Sequence, residues 1–129
     1  MICFMLHANN LTIKNIGLNY AEVQSRKGLY GWAPKLPYIL GMESYGEIVE
    51  VGKGCKDRSV GESVIVGTQF GSYAEYISVN ESQALPAFAY FSDEENAAFM
   101  VNYMTAWVSL INIARLKPTD SVLIQIAAG

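Results

Sequence analysis

Cysteine is scarce in this chain: Cys3 and Cys55 are the only two in 129 residues. They stand in different sequence contexts, so neither a disulfide framework nor a Cys-x-x-Cys metal knuckle can be assembled from them. Free thiols in a reducing compartment are the expectation. Charge of one sign is lacking too. Nine basic and twelve acidic residues give a net charge of -3 with no basic run, which leaves no electrostatic footprint for nucleic acid or an anionic membrane. The apolar opening Met1-Ile2-Cys3-Phe4-Met5-Leu6 lacks a basic leader and stops at His7. It is too short for a signal segment and far too short to span a bilayer, so a cytoplasmic protein with no nucleic-acid and no membrane partner is expected.

What is present is a soluble globular composition, 51% hydrophobic, enough for one domain with a real core. The stretch 40–54 is the one around which the chain is organised. It joins an acidic turn at Gly41-Met42-Glu43 to strand-forming Ile48, Val49 and Val51. Gly52 and Gly54 follow, free to take the positive φ of a tight reversal. Upstream, residues 11–16 read as a strand with Leu11, Ile13 and Ile16 turned inward. Asn19 is placed to cap a short helix over 20–24, closed by Gly28. Residues 29–37 form a loop that Pro34 and Pro37 keep out of regular helix. Residues 60–67 and 71–79 read as further glycine-punctuated strands, and short strands of this kind suggest a small barrel.

At Ser92-Asp93-Glu94-Glu95 the character changes. Ser followed three residues later by Glu is a capping box, and acidic residues suit the positive end of a helix dipole. A second helix is expected over about 101–116. It carries Val101, Met104, Val108 and Ile111 on one stripe and Asn102, Thr105, Ser109 and Asn112 on another. Trp107, Leu110 and Ile113 make most of the remaining surface apolar, as in a helix that is buried or lies between two bodies of protein. Residues 121–126 form a nearly continuous apolar run of the kind found in buried parallel strands.

Six motifs occur in one order: Gly17-Leu18-Asn19-Tyr20-Ala21-Glu22, Gly28-Leu29-Tyr30, Gly41-Met42-Glu43, Val60-Gly61-Glu62-Ser63-Val64, Gly71-Ser72-Tyr73-Ala74-Glu75-Tyr76 and Val101-Asn102-Tyr103-Met104-Thr105-Ala106. In order and spacing they resemble the quinone oxidoreductase, zeta-crystallin-like branch of the medium-chain dehydrogenase/reductase family. The resemblance implies a mainly β fold with some helix: a GroES-like, partly open β-barrel over 1–100, its first hairpin incomplete. A linking helix and the first strand of a truncated Rossmann domain would follow over 101–129. Ala127-Ala128-Gly129 resembles the opening of that domain's phosphate loop, whose remaining glycines and helix are not in this chain. The function implied is NADPH-dependent hydride transfer to a quinone or enone, with a homodimer possible in the full-length enzyme. The isolated chain is expected to be inactive. Enoyl-thioester reduction is an alternative within the same cleft chemistry, and a free-standing barrel that binds a partner or oligomerises is an alternative outside enzymes.

Zinc-dependent members of the wider family hold their ion through Cys, His and Cys. The matching positions here are Asn19, Met42 and Val101, none of them a ligand for such an ion, so no zinc is expected. Hydride transfer without metal must rely on placement over the nicotinamide and on neutral donors to the developing enolate oxygen. By resemblance, Asn19 and Tyr30 face the nicotinamide end of the cleft as catalytic and cofactor-binding residues, and Thr105 touches the cofactor from the linking helix. Glu43 and Asn102 would orient these groups from behind. Each residue has a plainer reading: Asn19 as a helix cap, Tyr30 as loop packing, Thr105 as part of a polar stripe, Glu43 as a turn carboxylate bonded to nearby amides. His7 reads as a surface residue, and Tyr73 and Tyr76, at strand spacing, as barrel packing.

Overall fold

The computed structural model describes residues 8–125. His7, Cys3, Ile126 and the Ala127-Ala128-Gly129 segment lie outside the described residues. Five antiparallel strands form one curled sheet: β1 (Ala8–Ile16), β2 (Glu43–Val51), β3 (Ser63–Gly67), β4 (Tyr76–Asn80) and β5 (Ala84–Pro86), in the order β4-β1-β2-β3-β5. The stretch expected to organise the chain is the central strand β2. Its register sets Leu11 opposite Ile48 on one side and Tyr45 opposite Ile65 on the other. The core lies on one face of this sheet, where Leu11, Ile48, Val64, Val66, Val79 and Ala84 are buried, with Ile13, Val51 and Ile77 packed against them. Each large apolar side chain so buried contributes about 1.5–3 kcal/mol. The sheet has two open edges, β4 and β5, as a partly open barrel does.

Several expectations are corrected by the structure. Gly52 and Gly54 are not among the positive-φ residues; Gly41 (φ 108) and Gly61 (φ 85) are. The reversal after β2 is a broad loop over 52–62, opened by the Cys55 N–H bond to the Gly52 carbonyl and ended by Gly61 N–H on Ile48. A loop of that breadth needs no primed turn. Ile16 is exposed; it is out of phase with Leu11 and Ile13, and the register shift between Ile13 and Asn15 does not return it to the core. The segment 71–79 is a strand only from Tyr76 onward. Ser72 and Tyr73 give their N–H groups to the Gly41 and Leu40 carbonyls instead of to a ladder.

Helix α1 (Tyr20–Arg26) follows β1 and closes at Gly28, φ 72. At α2 (Asp93–Ala97) the expected capping box is complete: Glu95 N–H donates to Ser92 Oγ at 3.2 Å and Ser92 N–H to Glu95 Oε2 at 2.8 Å. The second helical run begins two residues earlier than expected, as α3 (Phe99–Trp107), and widens into a π-helical segment over Val108–Ile113. It ends where Arg115 enters the left-handed region, φ 52. None of its residues is buried. Residues 121–125 make no strand pairing, and Val122, Leu123 and Ile124 are exposed. An apolar run becomes a strand only where a neighbouring strand takes its N–H and C=O groups, and no strand of the sheet lies beside this one. No helix among the described residues is long and apolar enough to cross a membrane.

Candidate active site

Two buried carboxylates organise the end of the sheet where β1 gives way to α1. Glu43, first residue of β2, is fully buried, and Glu22, in the first turn of α1, nearly so. A buried carboxylate survives only if hydrogen bonds replace its water, and both are provided for. Glu43 Oε1 accepts from Asn19 Nδ2 at 2.9 Å, and Oε2 from the backbone N–H of Val101 at 2.8 Å. Glu22 Oε1 accepts from Met42 N–H at 2.8 Å, and its Oε2 from Asn19 N–H at 2.8 Å and from the Tyr73 hydroxyl at 2.5 Å. The pair thus ties together β2, α1, the 71–75 loop and the start of α3.

Asn19 sits between the two carboxylates. It occupies the N-cap of α1 with extended backbone (φ -122, ψ 149), yet its side chain makes no capping bond. Glu22 reaches back to the Asn19 N–H as in a capping box, while the Asn19 side chain turns away to Glu43. Asn19 thus stands at the N-cap facing Glu22 while its side-chain amide is bonded to Glu43. Glu43 likewise is no local turn carboxylate, since its partners lie 24 and 58 residues away. Gly17 makes room for it: a Cβ there would come within 2.4 Å of the Glu43 side chain.

Beyond this tie lies a cleft of about 460 Å³ between the start of α1 and one face of α3. It is lined by Leu18, Asn19 and Tyr20 on one wall and by Val101, Asn102 and Thr105 on the other. Three of the expected site residues, Asn19, Asn102 and Thr105, are thereby brought together, with Glu43 holding both walls. Asn102 and Thr105 are exposed, and Asn102 Nδ2 donates to the Ala98 carbonyl one turn back. Tyr30 is not brought to this cleft. It lines two other depressions on the far side of α1, beside Ala33, Pro34 and Tyr38. Tyr76 is exposed on the edge strand.

Sequence reasoning missed Glu22 and Tyr73 as members of the site. The Asn19-x-x-Glu22 spacing was a usable signal for the first; nothing in the sequence pairs Tyr73 with Glu22. Burial, and then the hydrogen bond to Glu22, push the Tyr73 hydroxyl well above the ordinary tyrosine range. Of the positions matching zinc ligands in the wider family, Asn19 and Val101 line this cleft, while Met42 lines a neighbouring depression and reaches the tie only through its backbone N–H on Glu22. They offer a side-chain amide (Asn19), a thioether (Met42) and an aliphatic group (Val101), and no cluster of three or more His, Cys, Asp or Glu side chains suited to a metal ion occurs among the described residues. Both carboxylates nearby are already bonded to N–H and O–H donors.

With the fold and this cleft in view, comparison with known proteins is decisive. The alcohol dehydrogenase GroES-like domain profile matches residues 9–89. The chain belongs to this GroES-like domain family. Its GroES-like sheet is shared with quinone oxidoreductases of the medium-chain dehydrogenase/reductase family, as the motif order implied. A synaptic vesicle membrane protein VAT-1 homolog from Rattus norvegicus is 40% identical over 119 residues, 92% of this chain and 30% of that protein. The crystal structure of a Pseudomonas syringae quinone oxidoreductase superposes with a TM-score of 0.82 at 32% identity, over 92% of this chain and 36% of its own. Escherichia coli quinone oxidoreductase complexed with NADPH gives 0.75 at 29% identity, over 81% and 32%. This GroES-like chain thus spans about a third of the length of the relatives it matches.

Proposed function

We propose that the chain supplies the catalytic-domain wall of a zinc-independent, NADPH-dependent reductase that transfers hydride to a quinone or enone. The observation that carries the proposal is the fully buried Glu43, whose two oxygens fix Asn19 on one wall of the cleft and the first turn of α3 on the other. A neutral amide held by a carboxylate is a preorganised donor, which is what a developing enolate oxygen requires in place of a metal. Asn19 is the donor in this reading, Thr105 and Asn102 contact the cofactor or its surroundings, and Glu43 positions Asn19. Tyr30 enters only from the neighbouring depression and not from the cleft itself.

NADPH, when bound, supplies the hydride. In this reading Asn19, Asn102 and Thr105 would line one side of its place. All strand pairings in the sheet are antiparallel, so the described residues contain no parallel βαβ unit to cradle a pyrophosphate. The 129-residue chain is therefore expected to show no tight NADPH binding and no turnover, and an NADPH fluorescence titration giving tight binding would overturn this.

One observation favours a second reading, a barrel module that associates through its helix. Tyr103, Met104, Trp107 and Ile111 of the α3 run are all exposed, and an exposed apolar row of this kind drives association. Sedimentation of the chain separates the two readings: a stable, specific oligomer supports the module, while a monomer or nonspecific aggregate supports the enzyme portion.

A further inference from the structure

A second pocket shares the Leu18–Tyr20 segment with the candidate active site but lies on its other side. It is an open trough of about 550 Å³ lined by Leu18, Tyr20, Val23 and Leu40, of which the first three are exposed, with Tyr73 and the buried Glu22 at its inner end. That volume falls in the range of small-molecule sites. Arg26 and Lys27 complete the lining from the last turn and the C-cap of α1. Neither has a salt-bridge partner among the described residues, where the ion pairs are Lys14–Glu47 and Arg58–Glu62. An apolar trough ending in two unpaired cations is complementary to an amphiphile.

We infer that this pocket binds a fatty-acyl carboxylate, its chain along Leu18, Val23 and Leu40 and its head on Arg26 and Lys27. The charge balance selects the head. Two cations face the pocket against the one carboxylate of Glu22, leaving a single positive charge, which suits a monoanion better than a dianionic phosphate. Arg26 offers a planar fork that a carboxylate can accept from through both oxygens. The inner end offers such a head nothing, because the Glu22 oxygens are taken up by Met42, Asn19 and Tyr73 and would repel it. The apolar chain therefore runs inward and the carboxylate stays at the Arg26 and Lys27 end. This inference does not depend on the chain being part of a reductase.

The test is calorimetric titration of the 129-residue chain with dodecanoate, dodecanol and dodecyl phosphate. Saturable one-to-one binding of dodecanoate is expected, at least tenfold tighter than dodecanol, and weakened at least tenfold in an Arg26→Glu, Lys27→Glu double variant. Both substitutions are on exposed residues and should leave the fold intact, which circular dichroism checks. Methyl resonances of Leu18, Val23 and Leu40 should shift on dodecanoate addition. Equal affinity for dodecanol, tighter binding of dodecyl phosphate, unchanged binding by the double variant, or no binding at all would each overturn the inference.

Discussion

The side-chain amide of Asn19 donates to Glu43 Oε1 across 2.9 Å, and the other oxygen of the same carboxylate receives the N–H of Val101, 58 residues further on. One buried side chain thus holds the start of α1 against the start of α3 and sets the width of the cleft between them. Changing it to Glu43→Gln keeps the shape but leaves one acceptor where two are needed, and places an NH2 against a donor. A loss of about 2–3 kcal/mol is expected, read by urea denaturation. No change in midpoint would remove Glu43 from its role as the tie.

Gly17 tests the same tie from the other side. A methyl group there would collide with the Glu43 side chain, whereas at Gly28 a Cβ meets nothing within 4 Å. Gly17→Ala should displace Glu43 and destabilise by an amount comparable to Glu43→Gln. The two together should cost less than the sum of the single changes, since they break one contact set. A double-mutant cycle in urea checks this.

Tyr73→Phe removes the hydroxyl that donates to Glu22 Oε2 and should cost about 1–2 kcal/mol. Its pH dependence has a definite sign. The folded state raises the Tyr73 pKa through burial and then through Glu22, so the folded state favours the protonated phenol. Stability from this group is fully present below the unfolded value near pH ~10 and declines as pH rises above it. Thermal melts between pH 8 and 11 should show a steeper decline for the wild type than for Tyr73→Phe. Parallel profiles would contradict the assignment.

Ser92→Ala should cost about 1 kcal/mol by removing the acceptor of the Glu95 N–H at the start of α2. Replacement by Thr or Asp should restore most of it, with chemical denaturation as the readout.

Much of this was legible in the sequence, for reasons that differ by element. The Ser92 capping box and the Gly28 helix stop are local chemistry, readable from a few adjacent residues. The central strand announced itself through Ile48, Val49 and Val51, and the motif order fixed the fold class as a GroES-like barrel. The tie was only half legible. Glu43 was singled out, but its bonds to Asn19 and Val101 are long-range and no local pattern encodes them. Residues 121–125 make no strand pairing, because apolar character records a preference for burial and not the presence of a partner strand. Tyr30 was carried over by motif match, yet the path of the 29–40 loop, not the motif, decides which depression it faces.

The reductase reading is tested most directly by joining this chain to the nucleotide-binding portion of a quinone oxidoreductase relative and following quinone-dependent NADPH oxidation. The joined protein should turn over. Asn19→Ala should lower kcat at least tenfold with little change in NADPH affinity, while Tyr76→Phe, on the exposed edge strand, should leave the rate unchanged. A joined protein that binds NADPH and reduces quinone equally well with Ala at position 19 would contradict the account.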